Sequence, residues 1–339
     1  MRFIGGKRLM LDRINEVIEE NTHNDVVVIG DLFSGSGVVA QYFKQQGNQV
    51  ISNDIMYMSY VLVRGMTELN CKPTFSLLSG INVFEYLNEL SKPISMANAF
   101  IYNNYSPNEN CNRMYFQTNN ALKIDAIRQQ IEKWFLSKKL LEEEYYYLIA
   151  CLISSVPFVA NITGVYAAYL KHWDKRTFKE LTIEPIEVTD SRFECKAFNM
   201  DATELCKKQR FDLAYIDTPY NQREYTPNYH LLETIARYDA PEIRGVTGMR
   251  NYAKSAFCSK SSVKEAFIDL FANLDAKYAV VSYNTEGLLD TQEMMSLFSS
   301  FGSVKLYEYP YRRYKSKIPN NIDGLKEQLY FIDLRENGK

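Results

Sequence analysis

Histidine is scarce in this chain of 339 residues, with three in all, and no two of its six cysteines stand at CxxC spacing. Cys71, Cys111, Cys151, Cys195, Cys206 and Cys258 are scattered, which argues against a structural zinc site and against a disulfide framework. No metal is expected. Long hydrophobic runs are missing too. Val26-Val-Val-Ile29 is far too short to cross a bilayer. No targeting pattern is present, so the expectation is a cytoplasmic protein with no membrane partner. The basic excess of a polyanion-coating protein is also lacking. Net charge is −2, so any contact with nucleic acid has to be local. Internal repeats and low-complexity tracts are absent.

Apolar residues make up 46%, enough for a full core and two lobes. Tyrosine is abundant, at 25. Its stacking face and polar tip suit a surface that contacts bases, and A/T-rich coding explains the same bias equally well. Strands and helices alternate at both ends of the chain. Val26–Ile29 reads as a buried strand, Gly30-Asp-Leu-Phe-Ser-Gly-Ser-Gly37 as its loop, and Val38 to Lys44 as a helix. Gln49 to Asp54 is a second strand ending in an acid. Residues 56 to about 185 change character and read as mostly helical, with Lys123, Arg128, Lys133, Lys138 and Lys139 largely outside an apolar stripe. Val165 to Lys179 continues that helical pattern. Phe211–Ile216, Tyr278–Tyr283, Val304–Tyr309 and Gln328–Asp333 read as further strands. The predicted fold is α/β, a Rossmann-like mostly parallel sheet with a C-terminal antiparallel hairpin and a mainly helical insertion. Residues 1–56 and 186–339 form the catalytic domain in this reading, and 57–185 the insertion.

Chemistry gathers at the strand ends. Gly35-Ser-Gly37-Val-Val-Ala40 satisfies the loose GxGxxG/A pattern, so a dinucleotide site has to be weighed. Asp31 shifts the balance. A carboxylate at the strand end suits a cationic ligand group, such as the ammonium and sulfonium of S-adenosylmethionine, better than a pyrophosphate. Phe33 adds an apolar wall. Asp54 stands at the right distance for a ribose diol, or equally for a helix N-cap. Asp217-Thr218-Pro219-Tyr220 follows the strand Phe211–Ile216. An exocyclic amino group is a poor nucleophile because its lone pair is delocalised. Two acceptors aimed at its N–H groups, the Asp217 carboxylate and the Thr218 carbonyl, turn that lone pair toward a methyl donor. Tyr220 offers a face on which a base stacks.

In combination these motifs resemble the D12 class of adenine-N6 DNA methyltransferases, over nearly the whole chain. Phe3-Ile-Gly-Gly-Lys7 resembles its N-terminal cofactor segment, which implies Phe3 stacking on the cofactor and Lys7 near its carboxylate. Asp31 to Gly37, with Gly35 and Gly37, resembles the FxGxG loop, Asp54 the ribose acid, and Asp201 the acid near the cofactor adenine. Asp217 to Tyr220 resembles the DPPY turn, with Thr218 in place of the usual second proline. Asn228-Tyr229-His230 resembles the segment that follows. Arg312-Arg313 and Glu327-Gln-Leu-Tyr330 resemble the closing hairpin. The resemblance implies S-adenosyl-L-methionine as cofactor, double-stranded DNA as partner with Tyr229, Arg312 and Arg313 facing it, and a flipped-out adenine as target. It also implies a monomer serving a restriction-modification system, with a cognate restriction endonuclease acting separately. The alternatives are an RNA or protein-glutamine N-methyltransferase and, less well supported, an NAD-dependent oxidoreductase, which leaves Asp217 to Tyr220 unexplained. Cytosine-C5 chemistry is excluded, because no Pro-Cys dipeptide exists.

Overall fold

The computed structural model describes residues 6–23, 25–222, 224–310 and 325–335. Phe3, Arg312 and Arg313 lie outside them. Seven strands form one sheet: β1 (Val28–Asp31), β2 (Gln49–Asn53), β3 (Lys196–Phe198), β4 (Arg210–Ile216), β7 (Asp275–Asn284), β8 (Ser303–Pro310) and β9 (Lys326–Asp333). A separate two-stranded ribbon pairs β5 (Ile243–Arg244) with β6 (Met249–Arg250). The order across the sheet is β3-β2-β1-β4-β7-β9-β8. The first five pair in parallel, and β9 is antiparallel to both neighbours. The mostly parallel α/β sheet and closing hairpin agree with the expectation from sequence.

The central strands are apolar on both faces because helices cover both. On one side, Leu213, Tyr215, Tyr278 and Val280 pack under α1 (Leu11–Asn21) and α2 (Val38–Gln45). On the other, Phe211, Ala214, Ala279 and Val281 pack under α8 (Ala202–Cys206), α10 (Val263–Ala272) and α11 (Thr291–Ser299). The chain leaves β1 toward β2 on one side, while β4 lies on the other. Such a switch point opens a crevice beyond the carboxyl ends of the two strands.

The stretch 57–185, expected from sequence to be an insertion, contains α3 (Tyr57–Val63), α4 (Val83–Glu89), α5 (Phe100–Tyr105), α6 (Thr118–Leu136) and α7 (Glu142–Ser155). Its apolar core is shared with α9 (Tyr225–Arg237), the helix after the Asp217 turn. Glu233 of α9 accepts the Tyr57 and Met58 N–H groups at 3.2 and 2.8 Å, capping α3 from outside the insertion. Two expectations are corrected here. Val165 to Lys179 is not a helix, apart from a short 3-10 turn at Lys175–Phe178. Side-chain amides supply backbone partners instead: Asn161 bonds Leu170 O and Asp174 N, and Asn120 bonds Thr177 O and Lys179 O. Lys123 and Arg128 are buried rather than outward. The Arg128 guanidinium donates to Ile235 O, Ala236 O and the Tyr145 hydroxyl, where the carbonyls at the end of α9 concentrate negative charge. Tyr229 is 1% exposed and sits inside the shared core. No helix among the described residues is long and apolar enough to cross a membrane.

Candidate active site

Sheet register brings the strand-end acids together. Asp31 pairs with Ser52 on one side and Tyr215 on the other, two residues before Asp217. Asp54 follows β2 directly. Because β9 runs antiparallel, it begins at this same edge, and Glu327 pairs with Asn284 near the end of β7. The N-terminal 3-10 turn Lys7–Leu9 sets Lys7 among them. Lys7 Nζ lies 3.1 Å from Asp217 Oδ1 and 2.5 Å from Glu327 Oε1. The Ser282 hydroxyl donates to the same Glu327 oxygen at 2.9 Å.

The glycine loop is tied to β2 through Asp54, whose Oδ2 accepts Gly35 N–H and whose Oδ1 accepts Met56 N–H, both at 2.8 Å. Gly35 and Gly37 have φ of 51° and 75°, which favours glycine at both positions. Asn53 crosses beneath the loop, its amide donating to Leu32 O and Met200 O. The loop therefore presents its backbone to a cavity of ≈ 410 Å³ lined by Asp31, Phe33, Gly35, Asp54, Asp201, Asp217 and Pro219, among others. That volume lies in the range of small-molecule sites.

The charges lining this cavity are out of balance. Asp31 is 1% exposed, and neither carboxylate oxygen has a hydrogen-bond partner. The nearby Ser34 hydroxyl donates to the main-chain oxygen of Asp31 instead. Burial pushes the Asp31 carboxyl up to about 8, and the Asp217 and Asp54 charges push the same way, against the nearby Ser34 hydroxyl and Ala40 N–H, which favour its charged form without closing hydrogen bonds of good geometry. Burial raises Asp54 to about 6, against the two N–H groups that favour its charged form. Asp217 also rises to about 6, through burial first, with Lys7 drawing it down and Glu327 pushing it up. Burial works against the charge on Lys7, but Asp217 and Glu327 hold it protonated, well above the ordinary lysine value. A buried carboxylate with two orphaned oxygens fits a ligand that carries positive charge. Phe33 and Phe257, ring edge to face at 5.4 Å, supply an apolar wall.

Most of the residues expected from sequence meet in this one cavity: Lys7, Asp31, Phe33, Gly35, Asp54, Asp201, Asp217 and Pro219. Several do more or other than expected. Lys7 is engaged by Asp217 and Glu327. The Asp54 oxygens already hold the loop. Asp201 caps α8, accepting from Thr203 N and Glu204 N. Thr218 is fully buried, and its hydroxyl has no hydrogen-bond partner. Tyr220 stands beside the cavity with its ring edge-on to Tyr283 at 6.3 Å, and its carbonyl accepts from Leu288 N. Sequence reasoning missed Tyr225, Glu224, Lys254 and Phe257, which also line the cavity. Glu224 holds the segment 253–257 there by accepting Ser255 N–H at 2.8 Å. The available signal was weak: Pro227 in the first turn of α9 marks a helix start just after the Asp217 turn.

Strand order, switch-point crevice and acid-lined glycine loop together define a Rossmann-like α/β protein with a nucleoside-sized site. The family can be stated more narrowly. The chain belongs to the D12 class of N6 adenine-specific DNA methyltransferases, whose family model matches residues 3–297. It is 44% identical to the Type II methyltransferase M.FokI of Planomicrobium okeanokoites and 39% identical to the Modification methylase StsI of Streptococcus sanguinis, over 98% and 100% of this chain. The chain spans about half the length of these two relatives, 52% of each. It is also 36% identical to the Type II methyltransferase M.NlaIII of Neisseria lactamica, over 95% of this chain and 94% of that protein.

Proposed function

We propose that this chain transfers a methyl group from S-adenosylmethionine to N6 of an adenine in a short duplex DNA site. The observation that carries the reading is that the Asp217 carboxylate opens into the same cavity as the orphaned Asp31 carboxylate and the glycine loop, in a chain of the D12 family. When bound, S-adenosylmethionine supplies an electrophilic methyl on its sulfonium. Asp31 would meet its positive charge, the glycine loop would back it, and Phe33 and Phe257 would offer an apolar wall to the rest of it. Asp217 accepts one N–H of the adenine amino group, and the Thr218 carbonyl accepts the other, so that the nitrogen lone pair faces the donor. Placement and charge do the work, with no covalent enzyme intermediate. A base stacked in a duplex cannot reach such a cavity, so the adenine has to be flipped out.

The names of the relatives, Type II methyltransferase and Modification methylase, support a place in restriction-modification; a cognate endonuclease acting separately completes the proposal. The insertion, with α9 as its inner wall, is the natural reader of the DNA site. To test the reading, the protein is incubated with duplex DNA and methyl-labelled cofactor, and the DNA is digested to nucleosides. Label is expected in N6-methyl-2′-deoxyadenosine. Label confined to cytosine, to RNA or to protein overturns the proposal.

A further inference from the structure

Glu327 has no part in the reading above, yet it lies at the centre of the site's charges. Burial orders the three ionic groups from inside to outside. The Glu327 side chain is 2% exposed, Lys7 6% and Asp217 18%. Asp217 therefore faces the cavity, while Glu327 stands behind Lys7. The Glu327 oxygen that meets Lys7 also receives the hydroxyl of Ser282, itself fully buried on β7. Strand pairing of Asn284 with Glu327 holds the backbone on which this carboxylate sits.

A buried ammonium with a single carboxylate partner centres its charge on that carboxylate, which makes it a weaker acceptor and crowds the lone pairs that a substrate N–H would use. In this structure Lys7 lies closer to Glu327, at 2.5 Å, than to Asp217, which it meets at Oδ1 at 3.1 Å. We propose that Glu327 is a positioning residue for Asp217, acting through Lys7: it draws the ammonium toward β9 and leaves Oδ2 of Asp217 free to accept an N–H of the substrate amine. The inference rests on the methyl-transfer reading for its purpose, but its geometry stands apart from it. The charged and titratable groups that bear on Asp217 are Lys7 from the N-terminal turn, Glu327 from β9, Tyr215 from β4, Asp31 from β1 and Tyr225 from α9.

The experiment follows the Asp217 carboxyl by 13C NMR on protein labelled at aspartate, its signal assigned by loss in D217N, alongside the pH profile of kcat. In E327Q, which keeps the shape and removes the charge, Lys7 closes onto Asp217. The Asp217 titration and the acid limb of kcat are both expected to fall by about half to one pH unit. Plateau kcat is expected to drop ~10-fold as the free oxygen is taken. E327D restores the charge and returns the titration toward that of the wild type. A lowered melting temperature with an unmoved Asp217 titration identifies a merely structural residue and overturns the proposal. Should E327Q not fold, S282A serves: a Glu327 without its hydroxyl donor draws Lys7 harder, so the Asp217 titration has to rise, and an unmoved one overturns the proposal. A wild type that methylates no adenine sinks the functional reading and leaves the NMR result to decide this one.

Discussion

Cofactor affinity should climb with pH, and Asp31 is the reason. Its carboxyl is buried, lacks any hydrogen-bond partner and titrates near 8. At pH 7 it therefore holds its proton in most molecules, whereas a cationic ligand favours the ionised form. Binding then expels close to one proton per ligand, and the affinity constant rises about tenfold for each pH unit below that pKa, or ~1.4 kcal/mol. Between pH 6.5 and 7.5 the other two raised acids, Asp54 and Asp217 near 6, are mostly ionised already and add little. The ligand's own ammonium stays protonated below about pH 7.7, so the window isolates Asp31. Calorimetry with S-adenosylmethionine and with S-adenosylhomocysteine, in buffers of different protonation enthalpy, measures affinity and proton release together. D31N should lose both the slope and ~100-fold of the affinity at pH 7.5, since an amide leaves the cation unpaired. A wild-type affinity that is flat across this window, or a D31N protein with the same slope, refutes the assignment of Asp31 as the cation's partner.

Three further outcomes follow from the site and its supports. D217A is expected to lower kcat by ~1,000-fold or more while cofactor affinity changes less than about tenfold, since the proposed role of Asp217 is on the acceptor amine; single-turnover methylation beside equilibrium binding checks this. T218V replaces a buried hydroxyl without a partner by a methyl of the same shape, so stability should rise by ~1 kcal/mol and the melting temperature by ~2 °C. Activity should survive, because the main-chain carbonyl is the acceptor, and an inactive T218V assigns a role to the hydroxyl. R128M should destabilise the protein by ~2–4 kcal/mol by stripping the final carbonyls of α9 and Glu132 of their partner. Its DNA binding should keep the wild-type salt slope, whereas a slope reduced by about one marks Arg128 as a phosphate contact.

The sheet and its strand-end acids were legible in the sequence because their signals are local. Val28–Asp31 is an apolar run that stops at an acid and a glycine loop, and Arg210–Ile216 ends at Asp217 in the same way. Parallel strands buried on both faces have to place such ends on one edge, so the acids could be assembled on paper. The insertion was less legible because its cations find partners far along the chain. Arg128 reads as an outward residue of an amphipathic helix, but the carbonyls it caps are more than a hundred residues downstream. For Tyr229 the motif marks the helix after the Asp217 turn, but which face of α9 turns inward depends on α3 and α7, which pack against it. Glu327 read as one polar residue in a closing strand. Only the antiparallel pairing of β9 carries it back to the edge where Lys7 and Asp217 meet.

That edge holds four carboxylates, Asp31, Asp54, Asp217 and Glu327, around one lysine, and an excess of buried negative charge is a stability cost that pH exposes. For Asp31 the folded value of about 8 stands above the unfolded 3.8. Below pH 3.8 both states are protonated, and the group contributes no slope. Between there and pH 8 the folded state holds a proton that the unfolded state has lost. Stability therefore declines as pH rises, by at most ~1.4 kcal/mol per pH unit from this group, and levels off above its folded pKa. D31N never ionises and has no such slope. Measured by denaturant unfolding without cofactor, the stability difference between D31N and the wild type should move in favour of D31N by ~2 kcal/mol between pH 6 and 8. The variant that binds cofactor worst would then be the more stable protein at alkaline pH, the pattern of a site whose charge is matched to an absent partner rather than to its own fold. Parallel curves for the two proteins would mean that Asp31 stays ionised throughout, its charge met within the fold, and would remove the physical reason for placing a cation there.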